Sequence, residues 1–298
     1  MDYTVNVRGR LIDLSSPKVM GILNATPDSF YAVSRQQTEQ QIAARANEII
    51  AQGGAIIDVG ACSTRPGAIL PSKVEEMERL RRALTVVRRQ QPRAVVSVDT
   101  FRPDVARMAV EEYGADIVND VGGAALAQTD AGNRRAMFRM VSRLRVPYIL
   151  MSAEATLGSM LMQFARDVQQ LRDMGQKDII LDPGFGFGKQ RSAGAGSLIY
   201  DTNFEVLQRL ERLQEMRLPV LVGLSRKSMI YKTLDTSPEE SLNGTTMLHT
   251  VALMKGAAIL RAHDVRQAVE CVALWQRLNT VTPAAGCGAA ENGRYGGR

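Results

Sequence analysis

A hydroxyl, a guanidinium and an ammonium group follow one another in the stretch PVLVGLSRKS, residues 219–228. Its first half is apolar and typical of a buried strand, and Ser225, Arg226 and Lys227 come directly after it. Guanidinium and ammonium groups only donate hydrogen bonds and carry positive charge, which suits phosphate or carboxylate ligands. The stretch therefore predicts an anion-binding site at the end of a buried strand.

Polar residues also occur within or directly after other strand-like runs. They are Asn24, Asp58, Asp99, Asn119, Asp182, Arg261 and His263. A single Asp or Asn after a strand could equally be the N-cap of the next helix. Their recurrence after one strand after another favours a shared site.

The acceptors among these residues suit a flat heterocycle. Asp99 and Asp182 supply carboxylates, which only accept hydrogen bonds, and Asn119 supplies an amide, which both donates and accepts. A ring with several N–H donors would satisfy this combination. The same set therefore predicts a donor-rich heterocyclic ligand.

The cations suit a phosphorylated part of the ligand. The residues that could supply positive charge are Arg226, Lys227, Arg261 and His263. Asn24 could join a Mg²⁺ shell, because hard cations prefer oxygen ligands and keep waters and phosphates as well. A heterocycle that carries a diphosphate is the ligand we infer from the residues.

The elements that must position these residues form a repeating pattern. Apolar runs occupy 17–24, 55–60, 94–100, 116–122, 147–152, 179–184, 219–225 and 257–264. Continuous apolar runs are typical of parallel strands buried on both faces. Helical spacing separates them, as in Ile42, Ala46, Ile49 and Ile50, and in Met77, Leu80, Leu84 and Val87. The alternation predicts an α/β fold, a single (β/α)8 TIM barrel.

An open doubly wound sheet is the alternative fold. It places a Gly-rich GxGxxG turn after the first strand, and GILNATPDS after the first run has none. We expect one barrel domain over residues 1–280, with 1–16 as an N-terminal hairpin around Arg8-Gly9 that plugs the bottom. Residues 281–298 are rich in Gly and Ala without periodicity, which predicts a disordered, flexible C-terminal tail.

Composition excludes several classes of protein. The chain has 298 residues, of which 45% are hydrophobic and 23% charged, with a net charge of +6. No run approaches the ~18 apolar residues of a membrane span, and no apolar signal core follows the N-terminus. The charged stretch 73–90 alternates in sign around one apolar stripe, so it predicts a solvated helix rather than a nucleic-acid site. We expect a cytoplasmic protein with small-molecule substrates and neither nucleic acid nor membrane as a partner.

Seven motifs resemble those of dihydropteroate synthase, in the same order along residues 17–278. They are GILNATPDSF (21–30), DVGACSTRPGA (58–68), SVDTF (97–101), IVNDVGG (117–123), ILDPGFGFGK (180–189), VGLSRKSM (222–229) and LRAHDV (260–265). The resemblance implies condensation of 6-hydroxymethyl-7,8-dihydropterin diphosphate with 4-aminobenzoate, which gives 7,8-dihydropteroate and diphosphate in folate biosynthesis. It also implies Mg²⁺, a homodimer and a sulfonamide target.

The family's roles fall on matching positions of this sequence. The implied pterin-binding residues are Asp99, Asn119, Asp182 and Lys227. The implied diphosphate-binding residues are Asn24, Arg65, Arg261 and His263, with Asn24 also at the metal. The implied 4-aminobenzoate-binding residues are Thr64, Pro66, Phe187 and Ser225, with the carboxylate near the start of the seventh helix. The implied catalytic residues are Asp99, Lys227, Arg261 and His263. Cys62 and His249 are expected to be structural.

The sequence departs from the family pattern in three places. Ser152 stands after the fifth strand where the family usually has His, QRSAGAGSLIYDT (190–202) is inserted after DPGFGFGK, and the loop SFYAVSRQQT (29–38) lacks a Gly-rich stretch. The altered fifth-strand loop keeps open a non-catalytic or altered-specificity pterin-binding homologue. The other alternative is a methyltetrahydrofolate-dependent methyltransferase-type barrel, which would share the Asp-Asn-Asp set but should lack the STRPGA and GLSRKS blocks.

Overall fold

A computed structural model describes residues 3–25, 32–62, 70–121, 131–152, 154, 156–187 and 201–280. Eight parallel strands form one sheet in the order β8-β7-β6-β5-β4-β3-β10-β9. They are β3 (Lys18–Asn24), β4 (Ile56–Gly60), β5 (Val95–Asp99), β6 (Ile117–Asp120), β7 (Tyr148–Met151), β8 (Ile179–Asp182), β9 (Leu221–Val222) and β10 (Ile259–Ala262). Each lies within one of the eight predicted runs.

The sheet closes between its first and last strands. Leu181 on β8 bridges Val220 in parallel, just before β9 begins. The Leu181 N–H donates to the carbonyl of Pro219 at 2.9 Å. The predicted (β/α)8 barrel is therefore confirmed, and the open doubly wound sheet is wrong.

Helices alternate with the strands. They are α1 (Ala32–Ala51), α2 (Lys73–Gln90), α3 (Pro103–Glu111), α4 (Ala131–Leu144), α5 (Leu157–Asp173), α6 (Asp201–Gln208), α7 (Ser228–Tyr231), α8 (Leu242–Met254) and α9 (Val265–Thr280), with a 3₁₀ helix at Leu210–Met216. The charged stretch 73–90 is α2, which buries one stripe that includes Leu80, Leu84 and Val87. A capping box of Ser72 and Glu75 starts this helix.

The N-terminal hairpin plugs the barrel as predicted. Its strands are β1 (Thr4–Val7) and β2 (Arg10–Asp13), and both turn residues between them have positive φ, 49° at Arg8 and 79° at Gly9. Val5, Val7 and Leu14 are buried against the N-terminal residues of the barrel strands, in a cluster separate from the main core. The hairpin therefore seals the end of the barrel opposite the strand ends that carry the polar residues.

Three local expectations need correction or lie outside the described residues. Residues 32–38 belong to α1 and are not part of a loop, because no Gly or Pro interrupts the chain there. The seventh strand is only Leu221–Val222, and the helix after it, α7, has four residues. The C-terminal tail 281–298 and most of the insertion 190–202 lie outside the described residues, so both expectations remain predictions. Among the described residues, no helix combines the length and apolarity that crossing a bilayer requires.

Candidate active site

The barrel brings the predicted polar residues to the C-terminal ends of its strands. Asn24 pairs with Gly60 on the next strand, Gly60 with Asp99, and Asp99 with Asn119. These positions therefore form one row across β3, β4, β5 and β6. Asp182 ends β8 at the level of Met151 on β7. Active sites of such barrels lie at this face.

Arg261 joins the acidic residues of two strands. Its Nε donates to Asp58 Oδ2 and its Nη2 donates to Asp99 Oδ2, both at 2.7 Å. Asn119 Nδ2 donates to the same Asp58 oxygen at 3.1 Å. Because Asp58 is fully buried, these contacts hold its charge in the floor of the site.

Burial and this ion pairing set the protonation of the floor. Burial raises the pKa of Asp99, and the Asp58 carboxylate adds to the rise, whereas Arg261 opposes it. For Arg261, burial acts to lower the pKa, but the carboxylates of Asp58 and Asp99 outweigh it, so its pKa is raised. Arg261 therefore remains a cation at neutral pH.

Asp182 is held by the turn that follows it. Its Oδ1 accepts the backbone N–H of Gly184 at 2.7 Å. Burial raises the pKa of Asp182, and this hydrogen bond opposes the rise. Gly184 has φ of 69°, and a Cβ there would stand 2.1 Å from the carbonyl oxygen of Ser152. Only glycine fits, so the DPG sequence has a structural reason at the site.

Lys227 lies over an aromatic ring beside the acidic residues. Its Nζ is 3.9 Å from the centroid of the Phe187 ring, a cation–π contact. Burial lowers the pKa of Lys227 to about 8, the positive charge of Arg261 adds to this effect, and Asp182 opposes it. Gly186, with φ of 76°, leaves the space for this side chain, since a Cβ there would be 2.9 Å from Lys227 Cδ.

His263 and Ser225 are linked at the exits of β10 and β9. The His263 N–H donates to Ser225 Oγ at 3.2 Å, and the His263 carbonyl accepts Arg45 Nη2 at 2.5 Å. Burial lowers the pKa of His263 to about 4, and the nearby Arg261 adds to the effect. This lowered pKa favours the neutral imidazole at neutral pH in the free protein, and the role of His263 as a cation for the diphosphate stays a prediction.

Arg226 is used within the protein. Its Nε and Nη2 donate to the two carboxylate oxygens of Asp264 at 2.9 and 2.8 Å. Its Nη1 donates to the carbonyls of Pro238 at 2.9 Å and Glu239 at 2.6 Å. The prediction that Arg226 joins the anion-binding cations is therefore wrong. Of the three polar residues in the opening stretch, Lys227 alone lies with the acidic residues.

Two buried acceptors of this floor have no hydrogen-bond partner in the described part of the protein. Among the described residues, Asp58 Oδ1 and Asn119 Oδ1 are buried without a hydrogen-bond donor. A buried carboxylate or amide oxygen is costly to leave unmatched. The two oxygens can therefore accept N–H or O–H groups from a ligand that enters the site.

The structure describes some of the remaining predicted site residues, and others lie outside the described residues. Asn24 is exposed at the end of β3. Ser225 is buried and tied to His263, and the single turn of α7 gives little helix dipole for a carboxylate near it. Thr64, Arg65 and Pro66 lie outside the described residues. The described part of the chain holds no group of three or more His, Cys, Asp or Glu residues suited to a metal ion.

Arg45 and Glu76 are not among the site residues that the sequence predicts, and the sequence assigns Asp58 no specific role. Arg45 of α1 ties the Ile22 carbonyl to that of His263. Glu76 of α2 is fully buried. Both charged residues stand on the apolar stripe of their helices, next to Ile42 and Leu80 in helical spacing, and this position was visible in the sequence.

This chain is similar to known proteins along most of its length. A family model described as "Pterin binding enzyme" matches residues 20–263. The dihydropteroate synthase of Escherichia coli (strain K12) is 35% identical over 295 residues, covering 97% of this chain and 98% of that protein. That of Bacillus subtilis (strain 168) is 36% identical over 259 residues, covering 84% of each.

Solved structures give the same result. Xanthomonas albilineans dihydropteroate synthase with 4-aminobenzoic acid superposes with a TM-score of 0.81 at 32% identity, covering 95% of this chain and 100% of that one. The same enzyme in complex with 7,8-dihydropteroate gives 0.77 at 31% identity, with 94% and 100% covered.

A closed barrel with a row of carboxylate, amide and cationic groups at its strand ends, matched by the family model, defines the class: the chain belongs to the pterin-binding enzymes. Within them it belongs to the dihydropteroate synthases, as the identity and coverage of its relatives show. The predicted fold, family and transferase activity are confirmed.

Proposed function

We propose that the floor of this barrel binds the pterin of 6-hydroxymethyl-7,8-dihydropterin diphosphate, and that the chain transfers it to 4-aminobenzoate. Asp99, Asn119 and Asp182 grip the pterin ring, and Lys227 covers it. The observation that carries the proposal is the pair of buried, unmatched acceptors, Asp58 Oδ1 and Asn119 Oδ1, beside the carboxylates of Asp99 and Asp182. A pterin ring carries several N–H donors, which such acceptors can take up.

The diphosphate lies toward the cations of the site. Lys227 supplies positive charge while it is protonated, and Arg261 adds its guanidinium, whose Nε and Nη2 also donate to Asp58 and Asp99. His263 gains a proton as the diphosphate arrives, because a nearby anion favours the charged imidazole. We predict that Arg65 completes this set of diphosphate-binding cations. Asn24 has its amide at the end of β3, exposed and free to reach a cation that also binds phosphate oxygens and water. Such a shell fits Mg²⁺, which uses few protein ligands.

The second substrate lies on the other side of Lys227. Phe187 offers a ring face for 4-aminobenzoate, and the Ser225 hydroxyl can donate to its carboxylate while its oxygen accepts the His263 N–H. Thr64 and Pro66 are the further predicted contacts. Lys227 is therefore the group that separates the two substrates.

The reaction needs no side-chain nucleophile. The bond from the pterin methylene to diphosphate breaks, the arylamine nitrogen bonds to the methylene, and a proton leaves that nitrogen. Arg261 and Lys227 stabilise the negative charge that grows on the leaving diphosphate. When bound, Mg²⁺ supplies further positive charge to the same oxygens. Asp99, Asn119 and Asp182 hold the methylene in line with the amine.

The assembly we propose is a homodimer through α8 and α9. Large apolar side chains are exposed on these two packed helices: Met247 at 59%, Met254 at 67%, Leu274 at 73% and Leu278 at 69%. Exposed apolar residues that lie together on neighbouring helices mark an interaction surface. A second copy of the chain, with the same apolar surface, would cover it. Location in the cytoplasm and inhibition by sulfonamides remain predictions from the family resemblance.

One assay tests the activity. The purified chain is incubated with the pterin diphosphate, Mg²⁺ and 4-aminobenzoate, and 7,8-dihydropteroate is measured. We expect turnover that depends on all three components. A matched variant, Asp182→Asn, replaces an acceptor by a donor and should weaken pterin binding by about 1–3 kcal/mol in calorimetry. Unchanged pterin affinity in this variant would remove Asp182 from the site.

A pterin-binding homologue of altered specificity is the second candidate. It is favoured by Ser152, which is fully buried, donates to Gln163 Oε1 at 2.6 Å and stands where the family usually has His. The same experiment separates the two candidates. Pterin binding in calorimetry without formation of dihydropteroate from 4-aminobenzoate would support altered specificity for the second substrate.

A further inference from the structure

Glu76 is a fully buried carboxylate behind the proposed pterin site. It lies in the first turn of α2 and is 0% exposed. Its Oε1 accepts the hydroxyl of Thr100 at 2.6 Å, and its Oε2 accepts Arg102 Nη1. A buried charge persists only where such partners satisfy it. Both partners belong to the short segment that follows Asp99.

Thr100 is the link between Glu76 and the site. It follows Asp99 directly, and its backbone N–H donates to the carbonyl of Asn119 at 3.0 Å. Its hydroxyl also accepts the Arg102 N–H at 3.2 Å. Glu76 therefore holds a residue that is bonded covalently to Asp99 and by a hydrogen bond to the backbone of Asn119.

Arg102 extends the same attachment to the segment before α2. Its Nη2 donates to the carbonyl of Pro71 at 2.8 Å, and its guanidinium lies 4.8 Å from the centroid of the Phe101 ring. One carboxylate thus fixes the exit of β5 against the start of α2. The arrangement leaves the Thr100 backbone little freedom to turn.

We infer that Glu76 is a positioning residue for the pterin, and that it acts through Thr100 on the orientation of Asp99 and Asn119. The inference rests on the proposed function, because it needs Asp99 and Asn119 at the pterin. Glu76 itself does not reach the site and is not a catalytic residue. The competing view is that the buried cluster only stabilises the fold.

Two variants separate positioning from stability. Thr100→Val removes the hydroxyl at nearly constant shape and leaves the Glu76–Arg102 pair in place, whereas Thr100→Ser keeps the hydroxyl. Glu76→Gln removes the charge but keeps the side-chain length. The matched control is Glu75→Gln, one residue earlier on the same turn, where Gln still completes the capping box with Ser72.

The probe is 6-hydroxymethylpterin, which lacks the diphosphate and so reports on the ring site alone. In calorimetry we expect Glu76→Gln and Thr100→Val to weaken its binding by about tenfold, which corresponds to about 1.4 kcal/mol. Thr100→Ser and Glu75→Gln should stay within about twofold of the unmodified chain, by the same conversion less than 0.5 kcal/mol. In the assay, KM for the pterin diphosphate should rise in Glu76→Gln and Thr100→Val, while KM for 4-aminobenzoate is unchanged.

The outcomes distinguish this inference from the proposed function. If the unmodified chain binds no 6-hydroxymethylpterin, the proposed function fails and the inference fails with it. If the unmodified chain binds it and Thr100→Val binds it equally well, the inference alone is overturned, even where the melting temperature falls. Should Glu76→Gln fail to fold, the comparison of Thr100→Val with Thr100→Ser still decides.

Discussion

Arg261 and Asp99 form a 2.7 Å ion pair across the mouth of the barrel, although 162 residues separate them in the chain. The same guanidinium also binds the fully buried Asp58, so one cation pairs with two carboxylates of the pterin site. Removing one partner of a buried ion pair leaves the other charge buried and unpaired. The free energy lost in this way is far larger than the net stabilisation that the intact pair provides.

Replacement of Arg261 by Met should therefore destabilise the fold by about 3–5 kcal/mol near pH 7.5. The loss should shrink as the pH falls, because burial and the facing Asp58 carboxylate, no longer opposed by Arg261, raise the pKa of Asp99 in the folded variant above its unfolded value. A group with a raised folded pKa binds more protons when folded, so stability is gained toward low pH and lost as the pH rises. Urea unfolding from pH 5 to 8 measures the stability of the variant, and Arg266→Met on the exposed side of α9 is the control. A loss of stability that does not depend on pH would contradict the prediction.

Lys227→Ala should abolish turnover while the fold survives. The ammonium lies over Phe187 beside the acidic residues, outside the apolar core, so alanine removes a charge and little packing. A cap or surface ion pair would instead cost about 0–1 kcal/mol of stability and leave the chemistry intact. The measurement is kcat/KM beside the melting curve, and a fully active Ala variant would refute the role.

The pKa of Lys227, lowered to about 8 by burial, adds a pH dependence in the free enzyme. The protonated form carries the useful charge, so kcat/KM should fall as the pH rises through about 8. Lys227→Arg should move this limb beyond the measurable range while it rescues turnover poorly, since a guanidinium is planar and bulkier. A basic limb that remains near pH 8 in the Arg variant would assign it to another group.

The sequence predicted the strands and the row of site residues because both are local features of the chain. Each strand is a continuous apolar run, and Asn24, Asp99, Asn119 and Asp182 stand at strand ends, which parallel strands must bring to one edge. The directions of individual side chains are not local. Arg226 and Lys227 are neighbours, yet Arg226 has φ of 55° and Lys227 has φ of −76°, and their side chains reach different partners.

The partners of buried charges were also beyond sequence reasoning. The positions of Arg45 and Glu76 on apolar helix stripes indicated that each must be satisfied internally. Apart from Glu48, three residues on from Arg45, their partners lie far along the chain, such as His263 at 218 residues from Arg45. A single sequence contains no record of which distant carbonyl or hydroxyl a buried charge meets. A charged residue on the apolar stripe of a helix therefore predicts that a hydrogen-bond network surrounds it, and only the fold identifies the members of that network.

The proposed dimer predicts a concentration-dependent association through α8 and α9. Leu274→Glu places a charge in the apolar surface, where burial against a second copy would desolvate it, and should yield a monomer in light scattering. The control is Val74→Glu, an exposed apolar position at 62% exposure on α2, outside the two helices of the proposed interface. A dimer that persists in the Leu274 variant, or a monomeric unmodified chain, would contradict the assembly.

His249 gives the last prediction, an acid-dependent loss of stability. It is 1% exposed on α8, and among the described residues neither ring nitrogen has a hydrogen-bond partner. Burial lowers the pKa of His249 to about 4, with the Asp264 carboxylate opposing the effect. Below its ordinary pKa of about 6.5 the unfolded chain binds a proton that the folded chain refuses. Stability is therefore full above about 6.5 and is lost as the pH falls toward 4, by up to about 1.4 kcal/mol per pH unit for one group.

His249→Leu removes both unmatched nitrogens at similar volume. At pH 7.5 the variant should equal or exceed the unmodified chain in stability, because no buried polar group is left without a partner. At pH 5 its advantage should grow by about 2 kcal/mol, since the proton linkage of His249 is gone. The difference between the two proteins isolates this residue, because the shifted carboxylates Asp99 and Asp182 are common to both. Urea unfolding at the two pH values measures it, and the linkage of His263, whose pKa burial also lowers to about 4, is common to both proteins. An advantage that is the same at pH 5 and pH 7.5 would show that His249 titrates normally in the fold.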